Sequence, residues 1–280
     1  MKPKALIFGA GAIGRTLFPA ISKEYHVVGF LDNNPLLVST SGMNLPVYEP
    51  AAGLKQNHDF VIIASLSGVT PITEQLLNLG VEHGRIITKF VTVSVESRIS
   101  FLERLAELFH ENNIPGNVAE GGVFQGHFSK EINRVFPDKK LYLFDTFTGF
   151  DERDVNLDFS KNYSSLGAGH LNITNEDAVM AVMPYPDYCI VRKGYFPETT
   201  AGLEDETFCF VNLDFDLYKP ILAGLEYFAP RMVSGGIILI HDYFSTEFLG
   251  VKEALADFFA ENDNRPIFPI GDGISIGIIF

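Results

Sequence analysis

Short apolar runs alternate with polar, glycine-bearing turns along the chain, and stretches with apolar residues at helical spacing lie between them. Residues 4–8, 26–31, 59–64 and 85–88 read as strands, and residues 15–23 and 70–79 as helices, with Pro71 in a first turn and Gly80 just past an end. Residues 33–35 and 39–42 carry turn and loop chemistry. The spacing predicts a helix over 96–112, with Ile99, Leu102, Leu105 and Leu108 on one face and a stop at 112–116. Beyond it, 118–119, 140–144, 188–191, 208–213 and 237–240 read as buried strands, and 128–135 and 220–228 as helices. Residues 149–169 are polar, carry Phe150, Phe159 and Tyr163, and predict a long loop of the lid or substrate-binding kind. Residues 266–270 and 275–280, joined by Gly271-Asp272-Gly273, read as a closing hairpin. Strands alternating with helices make this an α/β chain of two Rossmann-like, doubly wound parallel sheets, the second ending in an antiparallel hairpin. The expected division is 1–95 and 96–280, with a linker helix at 96–113.

Two glycine turns follow buried strands. Gly9-Ala10-Gly11-Ala12-Ile13-Gly14 opens the first predicted helix, and Asp32 closes the next strand. That context matches the dinucleotide-binding fingerprint, in which Gly9, Gly11 and Gly14 let backbone approach a pyrophosphate and Asp32 meets a ribose. The second turn, Glu120-Gly121-Gly122-Val123-Phe124-Gln125-Gly126, precedes another helix, and Asp145 closes the following strand. An acid there is where a doubly wound sheet holds ribose hydroxyls; the alternative is a turn or cap residue.

Composition narrows the partners. Residues 1–95 carry seven Lys+Arg against six Asp+Glu, and residues 96–280 carry fourteen against twenty-nine, for a net charge of -14. An acidic second half argues against nucleic acid and is compatible with a cation site. Two cysteines, Cys189 and Cys209, make neither a disulfide framework nor a metal-ligand spacing, and the expected compartment is the cytoplasm. No apolar run approaches the ~20 residues that span a bilayer; residues 1–7, lysines followed by apolar residues, mimic the start of a secretion signal, but glycines and Arg15 interrupt the run and no convincing small-residue cleavage site is expected after it.

Ligands of an open α/β sheet sit beyond the carboxyl ends of its strands. Those ends carry Glu120, Asp145, Asp214 and the pair His241-Asp242, with Asp216 nearby. Asp214 and Asp242 are expected on neighbouring strands, with no Lys or Arg in either motif except Lys219. Two such acids repel unless a cation lies between them, which suits Mg²⁺. A metal there would acidify a bound hydroxyl. The plainer readings are that Asp214 and Asp216 cap a helix and that His241 is a neutral core imidazole.

The first 90 residues resemble the small nucleotide-binding domains that precede sugar acyltransferase and nucleotide-sugar epimerase domains. The likeness rests on residues 9–14, on Val28-Gly29-Phe30-Leu31-Asp32-Asn33-Asn34-Pro35 and on Leu45-Pro46-Val47-Tyr48. It implies a nucleotide or nucleotide-sugar ligand. No Tyr-x-x-x-Lys pair accompanies it to support hydride chemistry.

A parallel sheet closed by an antiparallel hairpin is the layout of class I methyltransferases, which raises S-adenosylmethionine (SAM) by analogy. Residues 117–250 resemble the macrocin O-methyltransferase family. The likeness is carried by Glu120-x-Gly122 to Gly126, Asp145-Thr146-Phe147-Thr148-Gly149-Phe150, Lys193-Gly194-Tyr195-Phe196-Pro197-Glu198-Thr199, Leu213-Asp214-Phe215-Asp216-Leu217-Tyr218, and Ser234-Gly235-Gly236 through His241-Asp242-Tyr243. The resemblance implies SAM contacts from Glu120, Gly122 and Asp145. Gly121, Gly126, Thr146 and Gly194 fall in the same motifs and are cofactor-binding candidates. It also implies metal ligation by Asp214 and by the pair at 241–242, where the family commonly has two acids. Asp214, Asp216 and His241 are then the catalytic candidates, and Asp214, His241 and Asp242 the metal set, with Mn²⁺ serving as well as Mg²⁺ because of the imidazole. The expectation is a SAM- and metal-dependent O-methyltransferase acting on a small-molecule sugar or glycan hydroxyl, working as a homo-oligomer. The alternative is an NAD(P)-dependent oxidoreductase working through residues 9–14.

Overall fold

The computed structural model describes all 280 residues except 1, 39–40, 43, 66–67 and 262–264. The chain divides into two compact units, Met1–Ser97 and Arg98–Phe280. In the first, β1 (Lys4–Phe8), α1 (Ala12–Glu24), β2 (His26–Leu31), β3 (Ser41–Gly42), β4 (Leu45–Tyr48), α2 (Pro50–Gly53), β5 (Phe60–Ile63), α3 (Val69–Asn78) and β6 (Ile86–Ile87) follow in order. The sheet order is β3-β4-β2-β1-β5-β6, and only the β3–β4 pair is antiparallel. Alternate residues of β1 face opposite layers. Ala5 and Ile7 pack with Ile21 of α1, and Leu6 and Phe8 with Ile72 and Leu76 of α3. Residues 41–42, read as loop, pair with β4; residues 39 and 40 lie outside the described residues.

Helix α4 (Lys89–Glu111) begins seven residues before the predicted start. Its added first turns bury Val91 and pack Phe90 on the first core, a tertiary contact that the 96–112 periodicity does not contain. Its buried face is Leu102, Leu105, Ala106 and Phe109; Leu108, placed on that face from the sequence, is exposed. The i, i+3, i+4, i+7 stripe from Leu102 accounts for the difference.

The second unit contains β7 (Asn117–Gly121), α5 (His127–Val135), β8 (Leu141–Asp145), α6 (Glu152–Lys161), α7 (Glu176–Ala181), β9 (Cys189–Lys193), β10 (Phe208–Leu213), α8 (Tyr218–Phe228), β11 (Met232–Ile240), α9 (Leu249–Glu261), β12 (Ile267–Pro269) and β13 (Ile276–Ile279). Its seven strands run β12-β13-β11-β10-β7-β8-β9, with β13 antiparallel to both neighbours and the other pairs parallel. This is the methyltransferase layout expected from the sequence. Every residue of β10 is buried, as a central parallel strand requires.

The 149–169 stretch is not an unstructured loop. It holds α6, whose N-terminus is capped by Asp151 accepting from the Arg153 amide. The polar pattern concealed the helix because two of its buried residues are acids. Asp154 accepts from the Tyr195 hydroxyl at 2.7 Å, and Asp158 accepts from the Tyr218 amide at 3.3 Å. Helices α7 and α9 were also not foreseen; Val179 of α7 and Val251, Ala254 and Leu255 of α9 are core residues.

Candidate functional site

The turn after β7 is shaped by the end of β10. The Asp214 amide donates to the Gly121 carbonyl at 2.7 Å, drawing the two strand ends together. Gly122 has φ +82, and a Cβ there would stand 2.0 Å from the Asp214 carbonyl oxygen. Only glycine lets the chain turn here. Asp145, at the end of β8, braces the turn: one carboxylate oxygen accepts from the Val123 and Phe124 amides at 2.8 and 2.9 Å, the other from the Phe147 amide at 2.7 Å. Thr146 donates to the Gly149 carbonyl, and the Gly194 amide to the Asp145 carbonyl. Gly126, with φ +75, is the N-cap of α5 and supplies no side-chain cap.

Glu120 ends the apolar run of β7 and is buried. It accepts from the Ser129 hydroxyl and, at 2.8 Å, from the Asn212 amide. Burial pushes its carboxyl up to about 8 against these hydrogen bonds.

Beyond β10 and β11, Asp214, His241 and Asp242 converge, each offering one ligand atom, with all three atoms within 4.8 Å of one another. His241 Nδ1 lies 2.9 Å from Asp214 Oδ1 and 2.9 Å from Asp242 Oδ2. Burial alone would favour the neutral imidazole, but Asp214 outweighs it and raises His241 to about 10, with Asp242 adding to the effect. Asp214 is held well below the usual carboxylate range by His241 and Arg98, despite its desolvation. Asp216, in the left-handed region at φ +65, is buried. Desolvation, then the Asp242 and Asp214 charges, push its carboxyl well up.

The sequence reading found no counter-charge beside these acids, but the structure supplies one. Arg98 of α4 reaches across with Nη2 to Asn212 Oδ1 at 2.9 Å and Asp214 Oδ2 at 3.1 Å, and its guanidinium lies 3.9 Å over the Phe128 ring of α5. A continuous polar chain therefore runs Ser129–Glu120–Asn212–Arg98–Asp214–His241–Asp242 across the ends of β7, β10 and β11. Arg98, Asn212 and Ser129 were missed. Two signals could have found them: Arg98 stands one helical turn before Leu102 on the buried face of α4, and Asn212 interrupts an otherwise apolar parallel strand.

The donor set suits a small divalent ion. Two carboxylates and an imidazole present atoms toward one point, and the Nδ1 proton now shared between the carboxylates is the one an ion would displace.

In the first unit, Gly9 has φ +116, and a Cβ on Gly14 would stand 1.9 Å from the Gly9 carbonyl oxygen; around Gly11 there is open space. Asp32 braces this turn as Asp145 braces the other. Oδ2 accepts from the Ala10 amide and Oδ1 from the Asn34 amide, both at 2.8 Å.

The sequence profile of the macrocin O-methyltransferase (TylF) family matches residues 88–273, and that of a family described as C2185-like, N-terminal, matches residues 1–87. An 8-demethyl-8-(2,3-dimethoxy-alpha-L-rhamnosyl)-tetracenomycin-C 4'-O-methyltransferase of Streptomyces olivaceus is 26% identical over 188 residues, covering 64% of this chain and 69% of that protein. Among solved structures, the O-methyltransferase NovP aligns with a TM-score of 0.54 at 20% identity, over 65% of this chain and 79% of that one. The calicheamicin methyltransferase CalS11 aligns at 0.52 and 19% identity, over 77% and 88%. At these identities the two structures establish the fold.

Proposed function

Because the chain belongs to the macrocin O-methyltransferase family, and so is a SAM-dependent O-methyltransferase, we propose that it methylates a sugar hydroxyl at the charged cluster beyond β10 and β11. The observation that carries this reading is the cluster itself. Asp214, His241 and Asp242 meet one strand away from the 121–126 turn, joined to it by Asn212 and Arg98. The sugar acceptor is supported by the tetracenomycin relative, whose name specifies a rhamnosyl 4'-O-methyltransferase.

In this reading SAM occupies the turn of Glu120, Gly121, Gly122 and Gly126, with Asp145, Thr146 and Gly194 around it. Asp145 keeps the turn's amides in place, so the backbone is preorganised before the cofactor arrives. Glu120, buried and hydrogen-bonded, fixes Asn212 and through it Arg98. Asp214, oriented by Arg98 on Oδ2 and His241 on Oδ1, positions the acceptor hydroxyl by hydrogen bonding. Asp216 and Asp242 are buried beside them, and the Asp242 charge adds to the cluster. A divalent ion, Mg²⁺ or Mn²⁺, would be held by Asp214, His241 and Asp242. When bound it would lower the pKa of the acceptor hydroxyl. The first unit would bind a nucleotide at Gly9, Gly11, Gly14 and Asp32, with open space at Gly11 for a ligand. Family membership assigns methyl transfer, not hydride transfer, to residues 88–273.

The test is methyl transfer from labelled SAM to a panel of nucleoside-diphosphate sugars and glycosylated natural products, after EDTA treatment and with Mg²⁺ or Mn²⁺ added back. Activity that disappears with EDTA, returns with either ion and is absent in Asp214→Asn is the expected result. Full activity in EDTA would remove the metal. Restoration by Mg²⁺ alone would remove His241 from the ligand set.

A further inference from the structure

Arg98 is only partly used by the contacts described above. Nη2 serves Asn212 and Asp214. Nε is buried and has no hydrogen-bond partner, and Nη1 has no hydrogen bond in the structure among the described residues. The side chain is 12% exposed. A buried, unpaired guanidinium N–H is costly and calls for an acceptor.

The surroundings say where that acceptor would sit. The guanidinium lies over Phe128, in the first turn of α5, and reaches Glu120 through Asn212. It is therefore bracketed by Glu120, immediately before the 121–126 turn, and Phe128, two residues after it. Helix α5 has nine residues and an N-cap, Gly126, without a capping side chain. Its leading amides and its dipole face the same anion that the guanidinium would attract. Two independent sources of positive potential thus meet beside the glycine turn, and the acids of the polar chain leave no acceptor on Nε.

We propose that Arg98 binds the α-carboxylate of the methyl donor, taking it on the unpaired guanidinium donors beside the N-terminus of α5. This rests on the reading that SAM occupies the 121–126 turn. SAM and its demethylated product S-adenosylhomocysteine carry the same α-amino-acid end, so both engage Arg98. The α-ammonium then falls toward the acidic side of the network, where Glu120 and Asp214 lie. Arg98 would couple the two ends of the reaction: one set of nitrogens orients Asp214, the other holds the donor's amino-acid tail. Charge-assisted Arg–carboxylate pairs supply both strength and direction, and lysine cannot reproduce them at a site where several donors are shared.

The experiment uses the full-length protein and calorimetric titration with two probes. One is S-adenosylhomocysteine. The other is its decarboxylated analogue, S-(3-aminopropyl)-5'-thioadenosine, which keeps the adenosine, the sulfur and the ammonium. Wild type is expected to bind S-adenosylhomocysteine at least tenfold more tightly than the analogue. Arg98→Gln should lose at least tenfold for S-adenosylhomocysteine and less than threefold for the analogue, so the discrimination collapses; Arg98→Lys should retain part of it. Parallel loss for both probes in Arg98→Lys would reduce Arg98 to a support for the fold and overturn the proposal. So would undiminished discrimination in either variant. If Arg98→Gln does not fold, Arg98→Lys and the wild-type comparison still decide. Wild type that binds neither probe would instead remove the SAM position on which the proposal stands.

Discussion

The two glycine turns are built alike and differ in their neighbours. In each unit a central strand ends in glycines, an α-helix follows, and an aspartate from the end of the next strand accepts amides of the turn. The flanking strands correspond: β2-β1-β5 in the first unit and β8-β7-β10 in the second. What lies beyond the third strand differs. After β5 the chain offers the Ala64 carbonyl, which stands 2.4 Å from where a Gly9 Cβ would be, and then the Ser65 hydroxyl, which accepts from the Gly68 amide. After β10 it offers Asp214 and Asp216, joined there by His241 and Asp242 from the end of β11. A braced glycine turn makes a surface that backbone can share with a ligand; the side chains at the adjoining strand ends decide whether chemistry can occur on it.

The largest effect that would sharpen this comparison is steric. Gly122→Ala places a Cβ against the Asp214 carbonyl and demands φ +82 of alanine. It should cost about 4 kcal/mol or more in chemical denaturation. Gly11→Ala, in open space, should stay within about 0.5 kcal/mol. A larger side chain there, Gly11→Leu, should weaken nucleotide binding while leaving S-adenosylhomocysteine affinity unchanged. An equal stability loss in Gly122→Ala and Gly11→Ala would break the account of how the second turn is shaped.

Next come the bracing acids. Asp145→Ala leaves the Val123, Phe124 and Phe147 amides without their acceptor and should destabilise by about 2–4 kcal/mol, with S-adenosylhomocysteine affinity falling at least tenfold. Asp32→Ala loses two amide contacts, for about 1–3 kcal/mol, and should leave that affinity intact. Calorimetry and thermal unfolding on both variants separate bracing from ligand contact.

The last effect is read as a slope against pH. His241 in the folded, metal-free protein is raised to about 10, above its unfolded value near 6.5. The folded state therefore holds a proton that the unfolded state gives up. The stability this contributes is fully present below pH ~6.5 and is lost as pH rises toward 10. In EDTA, wild type should lose up to about 1.4 kcal/mol per pH unit more than His241→Gln between pH 7 and 9. Equal slopes would mean that Asp214 and Asp242 do not hold an imidazolium.

Local pattern carried the fold and half of the candidate site. Strands such as 4–8, 26–31 and 208–213 are legible because buried parallel strands are apolar over most of their length, and the glycine turns because positive φ selects glycine. The acids Glu120, Asp145, Asp214 and Asp242 were legible because strand ends are where an α/β sheet meets its ligand. Helix α6 was not, because its inward face carries acids whose partners, the Tyr195 hydroxyl and the Tyr218 amide, lie 41 and 60 residues away. Nor was Arg98, 116 residues from the carboxylate it neutralises. Hydrophobic periodicity and turn chemistry are written within a few residues, so the order of strands and helices and the place of the turns can be read from local pattern. Which charges meet depends on how distant elements are brought together on the sheet, and it is that folding which sets Asp214 between Arg98 and His241.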